Sequence, residues 1–181
     1  MESADRGQGL VGRMVGAALL RAHTYEQVEA DRSATLQSAF LVALSALAAG
    51  IGSFENGAWI GIAWSTLASL VGWWVWAFVT DWIGTRWLPG PDTSADHGEL
   101  LRTIGFSSAP GILRVFGIFG PLAGPLFLLC GVWMLVAMVV AVRQGLDYHG
   151  TGRAIAVCAI GFPVCAVLLA ASLLLTGPWP V

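Results

Sequence analysis

The hydrophobic positions of this chain fall in long unbroken runs, not in the alternation of a strand or the three-to-four spacing of a soluble helix. The first run extends roughly from Ala34 to Ile51 and the second from Ala58 to Ile83, parted by a turn containing Gly52, Ser53, Glu55, Asn56 and Gly57. At 1.5 Å per residue, about 20 apolar residues cross the roughly 30 Å of bilayer hydrocarbon, so each run predicts a membrane span. A polar stretch from Gly84 to Arg102, carrying Pro89, Gly90, Pro91, Asp92, Asp96 and Glu99, predicts an aqueous loop ending in a short helix that approaches the bilayer. From Thr103 to Val142 the chain is apolar over about twice the length of one span, and Gly117, Gly120, Pro121, Gly124 and Pro125 divide it into spans three and four. A short polar loop from Arg143 to Arg153 then precedes a fifth span, Ala154 to Thr176. The expected fold is all-α: a polytopic transmembrane bundle of five spans over residues 34–176. A cytoplasmic segment, residues 1–33, precedes it, and a short extracytoplasmic tail, residues 177–181, follows.

Composition agrees with the pattern. Hydrophobic residues make up 56% of the 181 and charged residues 11%, against about 25% charged in an ordinary soluble domain, and the mean hydropathy is +0.74. A net charge of -2 leaves no basic face for nucleic acid. The basic residues are all Arg and their placement sets the orientation. With five spans and a cytoplasmic amino terminus, Arg6, Arg13, Arg21, Arg32, Arg86, Arg102, Arg143 and Arg153 all face the cytoplasm, as the positive-inside rule requires. Without the third span, Arg143 and Arg153 would lie outside. That span is short and holds Pro110 and Arg114, so its helix is expected to kink. Leu10 to Leu20 is not read as a signal peptide, because Arg13 interrupts it and no basic leader precedes it. Met14, Val15, Leu19 and Leu20 suit an amphipathic helix on the cytoplasmic leaflet. Trp59, Trp82, Trp87 and Trp179 fall at span ends, whereas Trp73, Trp74 and Trp76 are bunched within span two and pack on lipid and neighbouring helices.

Helices in lipid associate through small residues, and three stripes are present. Ser38, Ser45, Ala49 and Gly52 share a face of span one, Gly61, Ser65, Ser69 and Gly72 one of span two, and Cys158, Gly161, Cys165 and Ser172 one of span five. Cys130, Cys158 and Cys165 are expected to be free thiols, since seven residues of helix hold the last pair about 10 Å apart. Residues 7–12 spell GxGxxG, but no strand or βαβ unit surrounds them, so no dinucleotide site is expected. His23, His97 and His149 lie in separate polar segments and are expected to be solvated, without metal-ligand spacing. Ser107 and Ser108 sit in no nucleophile elbow. No catalytic residue, cofactor or metal site is expected, and the chain is read as no enzyme.

The charges beside the membrane carry more information, because an ionised group in hydrocarbon costs about 3 kcal/mol or more unless it is paired or hydrated. Tyr25, Glu26, Glu29 and Asp31 precede span one, Arg86 ends span two, Arg102 opens span three, and Arg143 and Arg153 bracket the last loop. These eight residues form the candidate interaction cluster on the cytoplasmic face. Pro110 and Arg114 are the candidate intramembrane site.

Several stretches are similar to a known family. Tyr25-Glu26-Gln27-Val28-Glu29-Ala30-Asp31, Gly84-Thr85-Arg86, and Leu100-Leu101-Arg102-Thr103-Ile104-Gly105-Phe106 leading to Ala109-Pro110 occur in an order that resembles the bacterial branch of the Yip family. Trp133, Ala141-Val142-Arg143 and Thr151-Gly152-Arg153-Ala154 extend the resemblance over roughly Leu10 to Leu175. It implies a five-span membrane domain with a cytoplasmic amino terminus, in a bacterial cytoplasmic membrane. Eukaryotic relatives associate with Rab-type GTPases in vesicle traffic, but this chain lacks their Asp-Leu-Tyr-Gly-Pro type motif and long amino-terminal region. The function expected is a non-enzymatic scaffold or adaptor that binds membrane lipids, a membrane-protein partner or a second copy of itself. The alternative is a homo-oligomeric anion transporter or channel using Arg114 and the break at Pro110.

Overall fold

Each long apolar run forms helix. In the computed structural model, which describes residues 9–53, 59–91, 93 and 96–176 with side chains to residue 167, α3 covers Ala34–Gly52, α4 Trp59–Arg86, α6 Ala123–Gly145 and α7 Thr151–Thr176. Two short helices, α1 (Leu10–Ala18) and α2 (Ala22–Ala30), come first, and α5 (His97–Phe106) leads into a 3-10 segment, Ala109–Phe119. There is no strand among the described residues. Helices α3, α4 and α6 are each long and apolar enough to cross a membrane, and α7 runs for 26 residues with Pro163 inside it. The expectations placed on Arg6, Gly7, Gln8, Glu55, Asn56, Gly57, Asp92, Ser172 and the tail from residue 177 lie outside the described residues and side chains.

Close pairs fix the directions. Gly105, Gly111 and Gly117 stand against Ser38, Ser45 and Gly52 in turn, so α5 and its 3-10 continuation run parallel to α3. Gly145 meets Thr103, Met134 meets Gly111 and Phe127 meets Gly117, so α6 returns antiparallel. Gly161 on α7 lies under the Trp76 ring while Arg153 reaches Gly90, which sets α7 antiparallel to α4.

The third apolar segment is not a single kinked α-helix. Pro110 has no N–H to extend the α5 ladder, and from Ala109 the chain winds with three residues per turn for 11 residues. The sequence supports that pitch. At period three, Gly111, Arg114 and Gly117 form one row facing α3 and α6, while Leu113, Phe116 and Phe119 form another that is exposed. In an α-helix, residues three apart would be about 60° out of line. The tighter winding also lengthens the segment, to about 15 Å for α5 and about 22 Å for the 3-10 stretch, enough together for roughly 30 Å of hydrocarbon.

Helices α1 and α2 make a hairpin docked on α3, α5 and α6. Tyr25, Val28, Leu41, Phe106 and Ala141 are buried there, with Leu10 and Met14 against them. The Trp133 indole N–H donates to the Ala18 carbonyl at 2.7 Å, twelve residues or about 18 Å of helix before the end of α6. Helix α1 is therefore held by the bundle through one side. Its other side exposes Val11, Val15 and Leu19 as an apolar stripe suited to lipid. A second core joins Trp76, Ile83, Leu100, Val142, Leu146 and Val157. All three cysteines are free.

Candidate functional site

At the hairpin end of the bundle, α2 and the α6–α7 connection enclose a polar depression of about 510 Å³. The connection is a tight turn. The Asp147 N–H donates to the Gln144 carbonyl and the Tyr148 N–H to the Arg143 carbonyl, both at 2.9 Å, and Asp147 takes the left-handed conformation at φ 52°. The Tyr148 hydroxyl, within hydrogen-bond distance of the Gly84 and Leu88 carbonyls at 3.1 and 2.8 Å, ties this turn to the end of α4. Burial raises the Tyr148 phenol above its ordinary pKa, which keeps it a neutral donor.

Three of the residues assigned to the cytoplasmic cluster border this depression: Glu26, Glu29 and Arg143. Glu26 accepts a hydrogen bond from Gln144 Nε2 at 2.8 Å, and Arg143 Nε donates to the Tyr148 carbonyl at 3.3 Å. Asp147 and the exposed His149 complete the rim. Glu29 is half-buried, and burial first, then the charges of Asp147, Glu99 and Glu26, push its carboxyl up to about 7 despite the opposing Arg102. Carboxylates therefore outnumber the bordering guanidinium, and one of them titrates near neutrality.

The other predicted members do different work. Tyr25 is fully buried and its hydroxyl donates to the Ala17 carbonyl at 3.1 Å, closing the hairpin. Arg102 is 5% exposed; its Nε donates to the Glu29 main-chain carbonyl at 2.9 Å and its Nη2 donates there too, capping α2. Asp31 accepts from the Ser33 hydroxyl and pairs with Arg13 at 2.7 Å, and these contacts, the serine bond foremost, lower its pKa. Arg86 lies over the Trp82 ring, 4.9 Å from its centroid. Arg153 is exposed beside Gly90. His97, expected to be solvated, has both ring nitrogens buried without a hydrogen bond and sits edge-on to Trp74 and Phe78, because the start of α5 packs on α4.

Among the residues missing from the sequence-based cluster are Gln144, Asp147, Tyr148 and His149. Their signal was their place in a connection only a few residues long, where every polar side chain is held close to the helix ends. Pro110 is buried at the start of the 3-10 segment. Arg114 lies beyond it, half-buried, with its guanidinium carbon 5.6 Å from the centroid of the Phe127 ring.

The sequence model of the Yip1 domain matches residues 17–173. The chain belongs to the Yip1 domain family. The Yip1 match begins inside α1 and ends inside α7, so it takes in the greater part of the docked hairpin, the depression and Arg114. As a Yip1-domain protein with three spanning-length apolar helices, the chain is a helical membrane protein. No curated protein and no solved structure matches it.

Proposed function

We propose that this Yip1-domain chain is a non-enzymatic membrane adaptor that crosses a bacterial cytoplasmic membrane five times and holds a membrane-protein partner at its cytoplasmic end. The observation that carries the reading is the acidic depression between α2 and the α6–α7 turn, where Glu26, Glu29 and Asp147 converge beside a single Arg143. Its chemistry suits a basic juxtamembrane segment, which cytoplasmic flanks of membrane proteins commonly carry. Arg placement supports the orientation, and the alternating directions of α3, α4, α5 with its 3-10 continuation, α6 and α7 support five crossings.

The test is in-membrane photo-crosslinking from position 149 of the full chain, with mass spectrometry of the products. The reading expects one reproducible membrane-protein adduct that falls at least fivefold in the Glu29→Gln/Asp147→Asn double variant, with insertion unchanged. Adducts to lipid or to a second copy alone would overturn it. The rival reading, a homo-oligomeric anion pathway, draws on Arg114 and the 3-10 break; chloride flux in proteoliposomes that vanishes in Arg114→Gln would put it first.

A further inference from the structure

Apart from the acidic depression, α3, α4 and α6 leave a groove of about 470 Å³ between them, backed by α5 and Arg114. Along α3 it extends from Val42 to Ser53, about 16 Å of helix and close to the thickness of one leaflet. Its two ends differ in chemistry. Ser53 and Arg114 border the end beside the start of α6, while Trp73, Trp76 and Met138 line the interior end together with Ser107 and Ser108, whose hydroxyls are taken up by the Ile104 and Gly105 carbonyls. Serine hydroxyls of α4, Ser65 and Ser69, run between them.

Arg114 is a cation in need of a counter-charge. Its Nε is buried with no hydrogen-bond partner, and among the described residues no carboxylate pairs with it or borders the groove. The Phe127 ring face offers partial compensation only. A guanidinium whose Nε is buried without a partner is costly, so an anion or water must reach it. The interior end argues against a through-path for a free ion. Trp76 blocks it, with its indole N–H donating to Met138 Sδ at 3.2 Å and its ring against Phe162 at 4.6 Å between centroids. A cation at one end and an apolar dead end one leaflet deep match an amphiphile.

We propose that this groove holds one anionic phospholipid, with its phosphate on Arg114 and an acyl chain against Trp73, Trp76 and Met138. The site is independent of the cytoplasmic depression and of any protein partner there.

The test is native mass spectrometry of the full chain released from nanodiscs of phosphatidylcholine containing one-tenth phosphatidylglycerol. The wild type should keep one phosphatidylglycerol, enriched at least fivefold over its share of the bilayer, and Arg114→Gln should lose the enrichment while Arg114→Lys keeps most of it. Gly72→Phe supplies a variant that does not depend on removing the charge. Gly72 lines the groove with open space where its Cβ would stand, so a ring introduced there should occupy the groove and also expel the lipid. Equal retention of the two lipids by the wild type would overturn the proposal, even if every variant failed to fold. So would undiminished phosphatidylglycerol on Gly72→Phe, or its displacement by millimolar inorganic phosphate, which would mark a free-anion site.

Discussion

Helices α3 and α4 each carry small residues at helical spacing, Ser38, Ser45, Ala49 and Gly52 on the first and Gly61, Ser65, Ser69 and Gly72 on the second. On α3 the stripe is covered at Ser38, Ser45 and Gly52, and only Ala49 between them is left partly open beside the groove. Ser38 donates to the Arg102 carbonyl at 2.8 Å, and Gly105, Gly111 and Gly117 bring the opposing backbone or side chains into contact at Ser38, Ser45 and Gly52. On α4 Gly61 and Ser65 are exposed and Gly72 has nothing near it, so the stripe becomes one wall of the groove. The difference lies in the partner. From Ser45 to Gly52 α3 rises about 10.5 Å, and the six residues of 3-10 helix from Gly111 to Gly117 rise about 12 Å, so these two contacts stay in register. Across the groove, α6 presents Met134 and Met138, which offer α4 no such row. Small residues permit close approach, and only a matched partner turns permission into contact.

The sharpest way to break this comparison is Gly52→Val, since any Cβ there drives into the Arg114 carbonyl. A backbone clash has no soft side to yield, so the variant should lose more than about 3 kcal/mol or fail to fold, read by thermal unfolding in lipid nanodiscs. Gly72→Phe, made on the open stripe and measured beside it, should differ from wild type by less than about 1 kcal/mol.

A smaller loss is expected from Arg102→Ala at the hairpin end of the covered face. It removes both bonds to the Glu29 carbonyl and should cost about 2–3 kcal/mol, with the α1–α2 hairpin released first and seen as faster proteolysis near residue 20. The smallest effect concerns Glu29 itself. Its carboxyl is raised from 4.5 to about 7, so the folded chain holds this proton more tightly than the unfolded one does. The stabilisation is complete below about pH 4.5 and disappears as pH rises to about 7, amounting to roughly 1–2 kcal/mol once solvent screening of a half-exposed group is allowed for. Glu29→Gln should flatten that part of the stability profile between pH 5 and pH 8.

Hydropathy placed α3, α4, α6 and α7 to within a few residues, because bilayer thickness constrains length and leaves little else to decide. It could not foresee the 3-10 segment, since Pro110 marks where the α-helix stops but the pitch beyond it depends on contact with α3. Which polar residues share the depression was harder to read. Charge pattern grouped Glu26, Glu29 and Arg143, which border one depression, with Tyr25 and Arg102, which are buried and hydrogen-bonded within the hairpin contacts. Charge is written in the sequence, whereas the depth at which a side chain ends is a property of packing.

The row of Gly111, Arg114 and Gly117 makes pitch and length a single variable, as in a threaded screw. Rewinding 11 residues from 3-10 to α geometry would retract the far end of the segment by about 5 Å and turn Gly117 away from Gly52. The glycine contacts therefore act as a detent. While they are seated, the position of Arg114 along the bundle axis is locked to that of α3, and a bilayer of different thickness must adjust to the protein.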